Sequence, residues 1–307
     1  MAIVSTSTSA FYERARANMK DLRAQAESLQ TQLGSGQKLS RSSDNPVAAS
    51  RMRTLARLES LSTIDETNAN RANADLSLAD AAMSNMSNTI MRAQELATQA
   101  ASTTLTDEQR AGIATELEQI HDDLYTLANS RDSTGHALFG GNNTGNAYEL
   151  DASGNASYIG SDSSVDLPIG DGQSVTRSMT GKQIFNFTDA NGNDTDVMAT
   201  IKTLAAALAG GSSDPTGAAN DALASLKTGL DTLTTSHTVV GTRLAWLDVV
   251  SERRTTLTEL RSTEEADLGG TDIASTVAQL QQTLTVLEAS QASFSKLSNL
   301  SLFNNLR

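Results

Sequence analysis

The groups that could do chemistry in this 307-residue chain are few and scattered. A general base or a metal centre needs several reactive side chains that converge. The three histidines, His121, His136 and His237, lie far apart in sequence. His121 stands beside Asp122-Asp123 and next to an apolar row, so it reads as a solvated helix-face residue. His237 falls on a heptad seam and reads as a satisfied core or edge residue. Asp189-Ala190-Asn191-Gly192-Asn193-Asp194-Thr195-Asp196 resembles the start of a calcium loop. It carries Asp194 where that loop needs glycine and Thr200 where it needs a bidentate Glu, so it reads as a turn-rich surface loop. Gly34-Ser35-Gly36-Gln37-Lys38 lacks the spacing of a phosphate loop. The absence of cysteine excludes disulfides, thiolate nucleophiles, Cys-ligated zinc and iron–sulfur clusters. The expectation is a chain that is not an enzyme, with no catalytic residue, metal ligand or cofactor.

The elements that would carry any site are helical and long. Phe11, Ala15, Leu22, Ala26, Leu29 and Leu33 step by threes and fours, with a polar break at Asn18, and give one narrow apolar stripe. Gly34 and Gly36 end that helix, and 37–45 reads as a loop. Asn45 can cap the next helix and Pro46 suits its first turn. That helix is predicted over 46–102, and Leu76, Ala79, Met83, Met86, Ile90, Ala93, Ala97 and Ala100 form its heptad row. At 1.5 Å per residue it reaches about 80 Å, a rod-like element. Thr106-Asp107-Glu108-Gln109 is a capping-box start for a further helix to about Ser130. Residues 135–200 are rich in Gly, Asn, Asp, Ser and Thr and hold short β-leaning pieces, KQIFNF among them, which predict an inserted antiparallel β-domain. A short helix is expected at 201–209, a linker at 210–220 and a helix from Leu223 to about 262. An acidic break follows at 263–272, and then a last helix with the row Ile273, Val277, Leu280, Leu284, Leu287, Gln291, Phe294.

The fold class predicted is mainly α, a rod-like bundle of long helices with an inserted small β-domain and terminal coiled-coil helices. The expected domains are terminal arms at 1–42 and 263–307, a long-helix bundle at 43–134 and 216–262, a β-rich outer domain at 135–200, and a short helix and linker at 201–215. The net charge of −13, with a pI near 4.6, argues against nucleic-acid or anionic-membrane binding. The apolar runs are too short for membrane insertion. The first twenty residues lack a basic and then apolar leader, so an exported chain would need another route.

The two end helices alone do not balance. Each offers an apolar stripe one or two residues wide, and each buried side chain contributes about 1.5–3 kcal/mol. Ordering the backbone costs about 1–2 kcal/mol per residue. The ends are therefore expected to be loosely helical or disordered in a free monomer and to order among many neighbours. The residues expected at that assembly interface are Phe11, Leu22, Leu29, Leu33, Ile273, Val277, Leu280, Leu284, Leu287, Phe294, Leu302 and Phe303. The alternative is an intramolecular bundle in which the ends dock on the central helices.

Three stretches resemble the bacterial flagellin superfamily. They are Gln32-Leu33-Gly34-Ser35-Gly36-Gln37-Lys38 followed by Ser43-Asp44-Asn45-Pro46-Val47-Ala48-Ala49-Ser50, then Gly135-His136-Ala137-Leu138-Phe139-Gly140-Gly141, and Ala292-Ser293-Phe294 with Leu300-Ser301-Leu302-Phe303. Asn45 stands where the superfamily commonly has Asp. The Phe303 ending, the Pro46 context, Ile169-Gly170 and Gly181-Lys182-Gln183-Ile184-Phe185 are similar to the members that join hook to filament. The resemblance implies a flagellin-like fold and a structural role without catalysis. It implies export through the flagellar type III channel without a cleaved signal peptide, and an extracellular place in the flagellum. The partners it implies are a ring of its own copies, hook-associated protein 1, flagellin, and an export chaperone on the C-terminal segment. Two alternatives stand beside it: a filament flagellin subunit, and a surface adhesion or carbohydrate-binding module using residues 136–200.

Overall fold

Both long helices start with the same local device. The computed structural model describes residues 2–39 and 41–304, with the side chains of 9–39 and 41–297. Helix α1 (Ala2–Ser35) is followed by α2 (Pro46–Ala100), where the Asn45 side chain accepts from the Ala48 amide at 3.1 Å and Pro46 takes the first turn. Helix α3 (Asp107–Ala128) is capped by Thr106, with Gln109 completing the box. Next come β1 (Tyr148–Leu150), β2 (Ala156–Tyr158), β3 (Asp166–Gly170), β4 (Gln173–Thr176), α4 (Gly181–Phe185), β5 (Asn186–Thr188) and β6 (Asp194–Asp196). Helix α5 (Val197–Ala206) is capped by Asp196 and runs into a π-type turn at Ala207–Gly211. Helix α6 (Pro215–Gly269) and α7 (Ile273–Asn304) complete the order.

Three expectations about these elements need correction. The linker at 210–220 is shorter, because α6 begins at Pro215 with the Asp214 carboxylate accepting the Gly217 amide at 2.9 Å. The acidic break at 263–272 narrows to 270–272, since α6 continues through Thr263–Asp267 to Gly269. The β-leaning piece KQIFNF divides into helix α4 and strand β5, and the Thr180 amide donates to Gln183 Oε1 at 3.0 Å to start the helix.

The chain divides into two compact units: residues 1–60 with 256–307, and residues 61–255. Helices α2 and α6 contribute to both. In the 61–255 unit, forty buried hydrophobic residues form one continuous cluster. Its spine is Ala69, Ala72, Leu76, Ala79, Met83, Met86, Ile90, Ala93, Ala97 and Ala100 on α2, steps of three and four whose alanines let neighbouring backbones approach. The strands make three separate antiparallel hairpins, β1–β2, β3–β4 and β5–β6. None is large enough for a core of its own. Tyr148, Ile169, Val175 and Phe187 instead point into the helical cluster.

The first and third hairpins carry the same five-residue turn, Asp151-Ala152-Ser153-Gly154-Asn155 and Asp189-Ala190-Asn191-Gly192-Asn193. Asp151 Oδ1 accepts the Ser153 and Asn155 amides at 2.7 and 2.9 Å, and Asp189 Oδ1 accepts those of Asn191 and Asn193 at 2.9 and 2.8 Å. Hydrogen bonds from the Asn155 and Asn193 amides foremost hold both carboxyls below the usual range. The calcium-like stretch is thus a hairpin turn whose acid serves its own backbone. The middle hairpin lies on α2 and α6, with Asn68 Nδ2 donating to Pro168 O at 2.8 Å and Arg254 Nη2 to Ile169 O at 2.7 Å. Gly170 sits there at φ 94°, a backbone conformation that L side chains rarely adopt, and a Cβ would also stand 2.6 Å from Asp65 Oδ2, so glycine is strongly favoured.

One buried charge node joins these parts. Arg177 Nη1 lies 3.7 Å from Asp75 Oδ2 on α2, and Nη2 lies 3.6 Å from Asp132 Oδ2 beyond α3. Two buried carboxylates share one guanidinium. Burial, chiefly, raises the Asp75 pKa; Asp132 adds to the rise and Arg177 opposes it. Burial also works against the Asp132 carboxylate, but bonds from Thr134 and the His136 amide, with Arg177, outweigh it and lower its pKa. A raised folded pKa is a cost present at neutral pH that fades as pH falls through it. Asp75→Asn is therefore expected to raise the unfolding free energy at neutral pH, with the gain vanishing below the carboxylate range. Asp132→Ala should lower it by about 3 kcal/mol. Denaturant titrations of both variants at several pH values check the pair.

Candidate assembly interface

The terminal pair is built on seams with a 3–4 period. On α1 the residues turned inward are Tyr12, Ala15, Met19, Leu22, Ala26, Leu29 and Leu33. Among the described residues the stripe thus runs through Tyr12 rather than Phe11, and through Met19 beside the exposed Asn18. On α7 the covered row is Thr276, Leu280, Thr283, Leu287, Ser290 and Phe294. The two helices pack antiparallel. At one end the Tyr12 hydroxyl donates to Leu297 O at 3.2 Å, and its ring meets Phe294 edge-on at 5.4 Å. At the other end the Thr271 amide donates to Gly36 O at 3.0 Å, the Lys38 amide to Gly269 O at 2.7 Å, and Gln37 pairs with Gly270 as an antiparallel bridge. Gly36 makes this crossing at φ 70°. Nearby, Arg51 and Glu264 form a two-pronged ion pair at 2.6 and 2.8 Å between α2 and α6.

The expected interface residues separate into three groups. Leu29 and Leu287 are buried in the α1–α7 seam, and Leu22, Leu33, Leu280 and Phe294 are half-buried along it. Phe11 (46%), Ile273 (64%), Val277 (37%) and Leu284 (38%) remain exposed. Leu302 and Phe303 lie outside the residues whose side chains are described. An apolar-only count missed Thr276 and Thr283. Both are buried, and the Thr283 hydroxyl donates to Gln279 O at 2.8 Å, which satisfies it inside its own helix. Counting Thr and Ser as seam formers at steps of four and three would have found that row.

This unit is thinly cored. Its buried hydrophobic residues among those described are Ala26, Leu29, Ala48, Ala49, Leu55 and Leu287, against the forty of the 61–255 unit. It is also nearly neutral: residues 1–60 and 256–307 hold twelve Lys and Arg and eleven Asp and Glu, whereas 61–255 hold eleven and twenty-five. Copies can therefore approach at the first unit with little like-charge repulsion.

The residues examined for catalysis do not come together. His121 is 1% exposed, a correction to the solvated reading, because α3 packs against α5 as well and needs a wider buried arc. Its Nδ1 lies 3.3 Å from Asp122, and its Nε2 has no hydrogen-bond partner among the described residues. His237 Nε2 meets Asp80 at 2.7 Å, and His136 Nδ1 meets the Thr134 hydroxyl at 3.0 Å. Among the described residues no cluster of acids and histidines could hold a metal ion, and no helix is long and apolar enough to cross a membrane.

The seam makes a graded prediction. Leu287→Ala should destabilise the α1–α7 pair by about 2–3 kcal/mol, since it empties a buried site. Ile273→Ser, at an exposed position of the same helix, should shift stability by no more than about 0.5 kcal/mol. Helicity and protease protection of the terminal segments, followed separately from thermal unfolding of 61–255, measure both.

Residues 6–144 match the family described as bacterial flagellin N-terminal helical region. The chain is 27% identical over 312 residues to flagellar hook-associated protein 3 of Salmonella typhimurium, covering 97% of this chain and 98% of that one. In fold it is similar to a flagellar hook-associated protein of Vibrio parahaemolyticus, with a TM-score of 0.67 at 22% identity over 74% of this chain and 100% of that one. Hook-associated protein 3 of Legionella pneumophila gives 0.64 at 15% identity, over 71% and 98%. The resemblance carried by the Gly34–Lys38, Asn45-Pro46 and Gly135–Gly141 stretches thus holds along the chain and in its fold: it is similar to the flagellin superfamily, and to the flagellar hook-associated proteins within it.

Proposed function

We propose that this chain is a structural subunit of the bacterial flagellum, without catalysis of its own, that joins the hook to the flagellin filament. The observation that carries the reading is the unfinished terminal pair. Helix α7 has apolar residues on both sides of its covered row, at Ile273, Val277 and Leu284 on one flank and Val286 and Leu297 on the other. A helix with an apolar arc wider than its one partner completes itself only among further helices. The names of its relatives support a flagellar place for that assembly.

In this reading copies form a ring. The hook side is met through hook-associated protein 1, and the distal side by flagellin. Before export an apolar, sparsely cored C-terminal segment needs cover, which an export chaperone supplies. The chain then leaves the cell unfolded through the type III channel without a cleaved signal peptide. A filament flagellin is the second reading, favoured by the match of residues 6–144 to the flagellin N-terminal region. Abundance separates the two: a filament subunit is present along the whole filament, a joining subunit in one short zone.

Electron microscopy of a strain lacking the gene is expected to show hooks without attached filaments, with flagellin lost to the medium. Normal filaments and motility would remove the proposal. A chain lacking 271–307 should keep a folded 61–255 unit yet fail to enter flagella. Limited proteolysis of the purified full-length monomer should cut first in α1 and α7 and leave a fragment close to 61–255.

A further inference from the structure

We propose that Asn191, at the tip of the β5–β6 hairpin, is a modification site whose carboxamide is lost spontaneously as ammonia, the residue ending as isoaspartate or aspartate. The reaction consumes only water and stands independently of the flagellar reading.

Every other asparagine of this chain precedes a residue with a Cβ, which crowds the approach of the next backbone nitrogen to the carboxamide carbon; Gly192 removes that obstacle. Asn191, Gly192 and Asn193 are exposed, and a Cβ built on Gly192 would meet nothing within 4 Å, so the turn has room for a ring to close. Asn129 is locked by contrast: its Oδ1 accepts the Ala147 and Tyr148 amides at 2.9 and 3.0 Å, and its Nδ2 donates to Tyr148 O at 3.2 Å. The Gly192 amide donates to Asp189 O at 3.1 Å and must be released before it attacks. Strands β5 and β6 hold three residues each and pair only with each other, so opening at the tip is cheap.

The Gly192 nitrogen then bonds to Asn191 Cγ, the Cγ–Nδ2 bond breaks, and the Gly192 proton leaves with Nδ2 as ammonia. One water opens the cyclic imide. Attack at Cγ gives aspartate; attack at the main-chain carbonyl carbon gives isoaspartate, whose backbone runs through Cβ and Cγ. The Asn193 amide foremost, with the Asn191 carboxamide among the lesser contributors, holds the Asp189 carboxyl below its usual range. Either product sets a second carboxylate there, in a unit whose acids already outnumber its bases twenty-five to eleven. Isoaspartate also lengthens the backbone between the two amides that Asp189 Oδ1 accepts, which loosens the turn. The β1–β2 turn supplies a control. Ser153 holds the equivalent place there, Gly154 has φ 78° against 83° for Gly192, and the same two amides meet Asp151. Serine therefore fits this turn and has no carboxamide to lose.

The test holds purified full-length chain at physiological temperature, at neutral and at mildly alkaline pH, and then cuts it with trypsin. Residues 183–202 are released as one peptide, since Lys182 and Lys202 bound it and no Lys or Arg lies between. With time that peptide should yield an isoaspartyl form, labelled by protein isoaspartate methyltransferase with S-adenosylmethionine and placed at residue 191 by fragmentation in the mass spectrometer. It should form at least about tenfold faster than at any other asparagine. The rate should rise with pH, because the attacking nitrogen must lose its proton. Asn191→Ser should abolish the signal and leave thermal unfolding of the chain unchanged. Isoaspartate at Asn193 instead, or spread alike over the asparagines, overturns the inference. So does an unaltered Asn191 over the time in which the same chain in denaturant converts there.

Discussion

Everything in this chain depends on how much apolar surface one helix can cover for another. Two antiparallel helices share a single seam, and α1 gives α7 only the row from Thr276 to Phe294. Burial is the main favourable term in ordering a chain, and backbone entropy the main cost. The 61–255 unit meets that cost with a continuous cluster running from Ala69 to Leu247. Among its described residues the terminal unit buries three leucines and three alanines. The molecule is thus densely cored at one place and thinly cored at another, and the thinly cored place is the one whose charges nearly balance.

The charged residues follow the same division. On 61–255 the negative excess is spread over helix faces and hairpin turns, where several carboxylates accept from backbone amides or face a guanidinium. Asp151 and Asp189 close their turns, Asp196 starts a helix, and Asp132 organises the loop after α3. These acids serve local backbone rather than a ligand. That explains why motifs suggesting calcium or catalysis lead to turns and caps.

Much of the fold was legible because its punctuation is local. Gly34 and Gly36, Asn45-Pro46 and the Thr106–Gln109 box each act within a few residues of themselves. The same grammar occurs at Asp214-Pro215 and Thr180–Gln183. There it was hidden by glycine-rich or β-leaning neighbours, so α6 was started late and α4 was missed. The covered row of α7 was displaced because burial of Thr276 and Thr283 depends on threonine satisfying its hydroxyl within the helix. The burial of His121 depends on α5, which begins at Val197, far along the chain, and no local pattern encodes that. The candidate interface was legible as a set of rows. Which row α1 would cover and which it would leave open needed the packed pair.

The bridge between Gln37 and Gly270 has a mechanical meaning. The chain enters and leaves the terminal pair at the same level, through two short non-helical segments tied by the Lys38–Gly269 and Thr271–Gly36 bonds. A pull on the pair is shared by both segments at once, and neither can be drawn out alone without breaking the tie. Glycines at the tie let it bend, and the doubled tether limits how far.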